Sequence, residues 1–122
     1  PTYSFGPTSP DIAFNGETFL LVWERLGASL GKRFDADLQP LHANPFPIGA
    51  GSYFQRVESN GTDFLLGVRE LRRVYRITAG GVVLDPSGIT LPLPGGYAYR
   101  APDIAWDGTD WAPVFLTSPP FP

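Results

Sequence analysis

At 122 residues the chain has the length of one domain, and its 43% hydrophobic and 14% aromatic content is too apolar for a disordered segment. A formal net charge of −3 provides no long-range attraction for nucleic acid or for an anionic membrane surface, so neither is an expected partner. The lack of cysteine excludes disulfides and thiolate metal sites, and the single histidine excludes a histidine-rich metal cluster within one chain.

Three turns of similar sequence recur along the chain at a nearly constant spacing. Gly16, Gly61 and Gly108 each follow an Asn or Asp, and they are 45 and 47 residues apart. Each turn follows a short alternating segment and precedes an aromatic-led apolar run, which indicates that one structural unit is reused. The chain is therefore divided into an N-terminal extended or edge strand (1–9), a first unit (10–52), a second unit (53–98) and a partial third unit (99–122).

In the first unit, residues 12–14 alternate in hydrophobicity as in a strand, and Asn15-Gly16 predicts a type I′ hairpin turn. The next strand is expected at 18–24, and its run 19–23 is apolar on both faces, which is typical of a strand between two layers. We expect a looser connection over 25–31, an extended segment over 32–35 and an outermost, proline-broken strand over 38–48.

The second unit has the same order, and the third has only part of it. Strands are expected at 53–57, 64–68, 73–77 and 82–84 in the second unit, and at 97–100, 102–106 and 111–116 in the third. The absence of helical spacing and the frequent Gly and Pro predict an all-β fold. A period in the middle forties with four strands per unit is the size of a propeller blade, and a lone blade leaves a sheet face uncovered.

We therefore expect propeller-like repeats of four-stranded antiparallel sheets, about two and a half blades in total. A β-sandwich, in which continuous sheets would span the repeats, is the alternative fold. No apolar run reaches the roughly 18 residues of a membrane span, so membrane insertion is not expected. The chain begins at Pro1 without an initiator Met or a signal-like stretch, and we expect it to be a processed or excised piece.

Residues 10–25 carry a resemblance to a known type of repeat. Their sequence, Pro-Asp-Ile-Ala-Phe-Asn-Gly, two further residues and then Phe-Leu-Leu-Val-Trp-Glu, resembles the degenerate repeats of large bacterial secreted and cell-surface proteins that are assigned to propeller-like folds. Together with 10–25, residues 99–116 carry the resemblance best, and residues 53–90 carry its strand-turn-strand portion. It implies a secreted or cell-surface location, a multi-blade parent or assembly, and binding or scaffolding roles.

Acidic and aromatic residues surround the third turn and form a weak candidate ligand site. Several oxygens could serve Ca²⁺, but the ligand spacing of a known calcium loop is absent, so we favour turn hydrogen bonding and expect no metal or cofactor. The aromatic residues could stack on a glycan, although their repeat-equivalent positions favour a core between blades. The residues of this candidate site are Asp103, Trp106, Asp107, Asp110 and Trp111.

The sequence contains no recognisable catalytic set. His42 lies in a proline-rich segment without a nucleophile elbow, and we interpret it as an exposed loop residue. A pair of glycosidase carboxylates cannot be placed from sequence. The arginines between 69 and 76 are interpreted as an exposed strand face with acidic neighbours, not as a nucleic-acid patch.

We therefore expect a non-enzymatic extracellular repeat module that acts by self-assembly or surface scaffolding, because uncovered sheet faces and open edges require a partner. The expected partner is a second copy or neighbouring repeats of the same protein. The alternatives are a lectin-like carbohydrate-binding propeller module and a fragment of a hydrolase propeller. The expected assembly interface consists of Phe19, Leu21, Trp23, Trp111, Val114 and Phe115.

Overall fold

The computed structural model describes residues 8–51, 55–68, 73–91, 98–99, 103–106, 108–114 and 117–118. Within these ranges the chain forms twelve strands and no helix, which confirms the all-β class. The N-terminal segment 1–7 lies outside them, and the first strand begins at Thr8. Apolar residues at alternate positions, separated by Gly, Asn and Asp turns, account for strands of two to eight residues.

The first and second units each form one four-stranded antiparallel sheet, as predicted. The first sheet has the order β1-β2-β3-β4, and the second has the order β5-β6-β7-β8, so each sheet is a simple meander. The strands of the first sheet are β1 (Thr8–Phe14), β2 (Thr18–Arg25), β3 (Ala28–Asp35) and β4 (Phe46–Ala50). Those of the second are β5 (Gln55–Ser59), β6 (Phe64–Val68), β7 (Arg73–Ile77) and β8 (Ile89–Thr90).

The third unit contains two short antiparallel pairs within the described part of the chain. β10 pairs with β11, and β12 pairs with β9. The four strands are β9 (Ala98–Tyr99), β10 (Asp103–Trp106), β11 (Trp111–Val114) and β12 (Thr117–Ser118).

The first hairpin of each unit has the same register. Phe14 faces Phe19, Ser59 faces Phe64, and Trp106 faces Trp111. The next facing pairs also correspond, because Ile12 faces Leu21, Val57 faces Leu66, and Ile104 faces Pro113. The sequence repeat is therefore a repeat of strand pairing, and residues in one unit have defined equivalents in the next.

The main core lies between the first and second sheets. Leu20 and Val22 of β2, with Ile48 of β4, pack against residues of β5, β6 and β7. Every residue of β6 is buried. The second-sheet members of this core are Val57, Phe64, Leu66, Val68, Tyr75 and Ile77.

A smaller core covers the opposite face of the second sheet. Leu65 and Val74 are buried there, and Leu91 and Trp111 pack against them. The second sheet is thus covered by the first sheet on one face and by Trp111 of the third unit on the other. The apolar run 19–23 of β2 was predicted to lie between two layers, but on β2 only Leu20, Val22 and Glu24 are buried. The corresponding strand of the second unit, β6, is buried on both faces.

The turns correct two sequence predictions. Asn15-Gly16 is not a type I′ turn, because Gly16 has a left-handed φ of 103° whereas Asn15 is not among the residues with positive φ. Both central angles are left-handed instead at Leu26 and Gly27, with φ of 52° and 81°. These two residues join β2 directly to β3, so the looser connection expected over 25–31 is wrong.

The fourth strand of each sheet also differs from its prediction. In the first unit the outermost strand is confined to Phe46–Ala50, with Pro40 making only an isolated bridge to Phe34. Pro47 lies within β4, and the β3–β4 register shifts between Ser29 and Leu30. In the second unit residues 82–84 form no strand, since Val83 makes only an isolated bridge to Ile77, and β8 follows later.

Candidate functional site

The candidate site is the face of the first sheet that points away from the second sheet, which we call the outer face. Strand alternation and the observed registers place its apolar residues on one side of β1, β2 and β3. Phe19 lies between Phe14 of β1 and Phe34 of β3 in these registers. The outer face consists of Ile12, Phe14, Phe19, Leu21, Trp23, Leu30 and Phe34, with Lys32 among them.

The outer face is apolar and accessible to solvent. Ile12 is 48% exposed and Phe14 is 44% exposed, while Phe19 is half-buried beside Phe14, with ring centroids 4.4 Å apart. The Lys32 Nζ lies 5.8 Å from the centroid of the Phe34 ring, so this cation of the outer face is above an aromatic ring. A contiguous apolar surface of this kind is typical of an interaction site.

The repeat equivalents of the outer-face residues are buried in the second sheet. Phe64, Leu66 and Val68 correspond to Phe19, Leu21 and Trp23 in the matched registers. Phe64 is 1% exposed and Leu66 is 0% exposed, because the first sheet covers them, whereas Phe19, Leu21 and Trp23 are only half-buried. The equivalent face is therefore covered in the second unit and open in the first unit.

Three hydrogen bonds between the first and second units span about one repeat period. The Val57 backbone N–H donates to Asp11 Oδ2 over 2.9 Å, and these residues lie 46 positions apart. Asn15 Nδ2 donates to the Thr62 carbonyl over 2.8 Å, across 47 positions. Arg33 Nη1 donates to the Gly80 carbonyl over 2.9 Å, again across 47 positions. Each bond joins one unit to the next.

Asparagine side chains shape the turns that meet at this junction. Asn15 Oδ1 accepts the backbone N–H groups of Glu17 at 2.9 Å and Thr18 at 2.7 Å. Asn60 Oδ1 accepts those of Thr62 at 3.0 Å and Asp63 at 2.8 Å, so the two turns are built alike. A cleft of about 180 Å³ lies between them and is lined by Asn15, Glu17, Gly61, Thr62 and Ala79.

No protein-family model, curated protein or solved structure matches this chain. The proposal of a function therefore rests on the geometry of the repeats.

Over the part of the chain that the structure describes, no group of three or more His, Cys, Asp or Glu side chains is placed to hold a metal ion. No helix in that part is long and apolar enough to cross a membrane.

Asn15→Asp tests the side-chain bond that joins the two turns. The substitution keeps an oxygen for the N–H groups of Glu17 and Thr18 but removes the donor to the Thr62 carbonyl. We expect it to lower the free energy of unfolding by about 0.5–1.5 kcal/mol, as measured by urea denaturation. Asn60→Asp is the matched control and should change stability less, because no described residue accepts from Asn60 Nδ2. Equal effects of both substitutions would contradict the assignment.

His42 occupies a structural position that sequence analysis missed. Its Nε2 accepts the Arg33 backbone N–H at 3.0 Å, and its Nδ1 lies 2.7 Å from the Asn44 carbonyl, which assigns the proton to Nδ1. His42 is half-buried, so its interpretation as an exposed loop residue is wrong. It helps to hold Arg33, which in turn contacts the second unit.

Asp85 has the corresponding role in the second unit. Its Oδ2 accepts the Arg76 backbone N–H at 3.0 Å, and its carboxylate also accepts two bonds of 2.9 Å from the Arg76 guanidinium. These hydrogen bonds from Arg76 lower the pKa of the Asp85 carboxyl from its ordinary value. Arg76 is thus paired within its own unit, while Arg69 and Arg72 lie outside the described residues.

The predicted ligand residues of the third turn are placed only in part. Asp103 and Trp106 lie in β10, at the two ends of its pairing with β11, and Asp107 is outside the described residues. Asp110 is exposed, and Trp111 is half-buried against Leu65 and Val74. In the first unit, the carboxylate that corresponds to Asp103 is that of Asp11, and it is used in a contact between units.

The predicted assembly residues fall in two places. Phe19, Leu21 and Trp23 lie together on the outer face, as neighbours with alternate spacing on β2. Trp111 contributes to the smaller core, Val114 ends β11, and Phe115 lies outside the described residues. The polar contributors Asp11 and Arg33 were not identified from sequence, although the shared Pro-Asp-Ile-Ala of residues 10–13 and 102–105 was a signal for the first of them.

Proposed function

We propose that this chain is a non-enzymatic interaction module of an exported protein, which acts by self-assembly or surface scaffolding through the stacking of propeller-like units. The observation that carries the proposal is the outer face, which exposes apolar residues whose equivalents in the second unit are buried. A sheet with an apolar face of this kind is stabilised when another sheet covers it. The proposal therefore assigns the outer face to contact with a further unit.

Contacts between the first strands of the units support a propeller-like arrangement. β1 contacts β5, and β5 contacts β10, although these strands belong to different sheets. In a propeller the four-stranded blades are placed radially, and the blades pack through their faces. Two four-stranded antiparallel meanders that share an apolar core fit this arrangement, with the third unit as the next blade.

Assembly is favoured over a glycan-binding role by the surroundings of Trp111. This aromatic residue would be a stacking platform in a sugar site, but it packs against Leu65 and Val74. The apolar residues of the outer face, by contrast, are open to a partner. The secreted or cell-surface location in this proposal rests on the resemblance of residues 10–25 and 99–116 to the repeats of exported bacterial proteins.

Sedimentation velocity of the 122-residue chain tests the proposed function. We expect species heavier than the 13.3 kDa monomer, with a weight-average sedimentation coefficient that rises with protein concentration. Glu17→Gln, a change at an exposed carboxylate in a turn outside the outer face, is the matched control and should assemble like the original chain. A compact, stable monomer throughout a concentration series would refute self-assembly.

A further inference from the structure

We propose that the third unit of a second copy of this chain covers the outer face, in a head-to-tail contact that repeats the packing of the first unit on the second. Head-to-tail here means that the third unit of one copy meets the first sheet of the next. The inference rests on the proposed function and adds the partner, the surface it uses and the polar contact that fixes its register.

The existing interface between the first and second units defines what the outer face accepts. Phe64, Leu66 and Val68 are covered by the face of the first sheet that carries Leu20 and Val22. Phe19, Leu21 and Trp23 occupy the equivalent positions in the first unit. The surface that fits them best is therefore the face of another unit that corresponds to the face with Leu20 and Val22. The outer face is therefore the equivalent of a surface that is already covered between the first and second units.

The third unit has the pairing needed to supply this complementary face. Ala112 pairs with Ala105, just as Leu20 pairs with Ala13 in the first unit. In the second sheet the residue equivalent to Leu20 is Leu65, and Trp111 already packs against it. The Leu20 and Leu65 faces are each covered by the following unit, so the proposal assigns the outer face of a second copy to the Ala112 face of the third unit.

The first and third units also share the acidic residue of the junction. Both contain Pro-Asp-Ile-Ala followed by an aromatic residue, at 10–14 and 102–106, whereas the second unit has Arg56 at the place of the acid. Asp11 faces Val22, and Asp103 faces Val114, so the two acids have the same register. Asp103 is therefore the repeat equivalent of Asp11.

This equivalence identifies the polar contact. Asp11 accepts the backbone N–H of Val57 in the following unit, and Ile12 is the first-unit equivalent of Val57. The carboxylate of Asp103 in one copy would thus accept the backbone N–H of Ile12 in the second copy. The Asn15 bond is not repeated, because the third unit has Asp107 at that position and lacks an amide donor.

Head-to-tail contact joins two different surfaces, so it forms a ring where the rotation closes and a filament where it does not. One blocked surface per molecule should therefore stop growth without destroying the other surface. Leu21→Asp blocks the outer face, and Ala112→Asp blocks the third unit. We expect each 122-residue variant alone to sediment as a monomer, and an equimolar mixture of both to form a dimer.

The dimer in the mixture is expected because each variant retains the surface that the other lacks. Val82→Asp is the control for adding a charge at an exposed apolar residue away from the outer face, since Val82 is 59% exposed, and it should assemble normally. Circular dichroism and the thermal midpoint of each variant separate loss of assembly from loss of folding. As a second measurement, Asp103→Ala should raise the dissociation constant about tenfold.

The outcomes separate this inference from the proposed function. If Ala112→Asp still assembles while Leu21→Asp does not, two outer faces meet symmetrically, which overturns the head-to-tail contact but keeps self-assembly. If Leu21→Asp assembles normally, another surface is used and the inference is wrong. If the original chain is a monomer at every concentration, the proposed self-assembly itself fails.

Discussion

Leu66→Ala is expected to lower the free energy of unfolding by about 2–5 kcal/mol, because it removes a fully buried side chain from the middle of the main core. Leu66 is buried by the first sheet, and its neighbours on β6 are covered on both faces of the second sheet. Little relaxation is available at such a site, so most of the lost volume should remain as a cavity. Urea denaturation measures the change.

Leu21→Ala is the matched control, since Leu21 is the same residue type at the equivalent position of the first unit. Under dilute conditions we expect it to cost about 1 kcal/mol, because its side chain is only half-buried. The cost should grow with protein concentration as the outer face becomes covered. Equal effects of the two substitutions in the dilute chain would contradict the assignment of the open and covered faces.

Gly49→Ala is expected to destabilise the chain by about 1–3 kcal/mol through overpacking between β4 and β7. A Cβ atom at Gly49 would lie 2.5 Å from Tyr75 Cε1 and 2.6 Å from its Cζ. Tyr75 is buried in the main core, so its ring has little room to move away. The position needs a glycine because of this ring contact between the two units, not because of its backbone angles.

A double-mutant cycle tests whether the ring causes the cost. In a Tyr75→Leu background the smaller side chain leaves space, so Gly49→Ala should lose most of its effect on the denaturation midpoint. A coupling energy near zero would instead assign the cost of Gly49→Ala to β4 itself. The cycle also measures a contact between the units, since Gly49 belongs to the first sheet and Tyr75 to the second.

Local pattern predicted the strands and repeats well, because alternation and turn residues act within a few positions. The pairing of Phe14 with Phe19 and its two later equivalents is the direct result. Burial was less predictable. Residues 18–24 and 64–68 have similar apolar runs, yet only the second run is fully covered, since coverage depends on which unit lies on each side.

The backbone angles of the turns were also not predictable from the sequence. Asn15-Gly16 matches the pattern of a type I′ turn, but the Asn15 side chain caps the turn and donates to the next unit. Leu26-Gly27 adopts left-handed angles at both residues although Leu is a poor residue for them. The tight β2–β3 connection imposes that conformation, and composition of the turn alone does not reveal it.

The shared face of three apolar residues could be predicted from sequence, whereas the polar contacts between the units could not. Alternation on β2 was sufficient to group Phe19, Leu21 and Trp23. Asp11 and Arg33 each act on a residue 46 or 47 positions away, so their roles depend on how the two sheets pack. The same holds for His42, whose partner is the backbone of β3.

Pro47 has a consequence for the direction in which this molecule can grow. It lies in β4, the outermost strand of the first sheet, where it has no N–H to offer an incoming strand. The irregular β3–β4 pairing beside it further disfavours lateral addition of strands, the route to amyloid-like sheets. A polymer of this chain that forms through the outer face would therefore grow by contact between faces and not by addition of strands at β4.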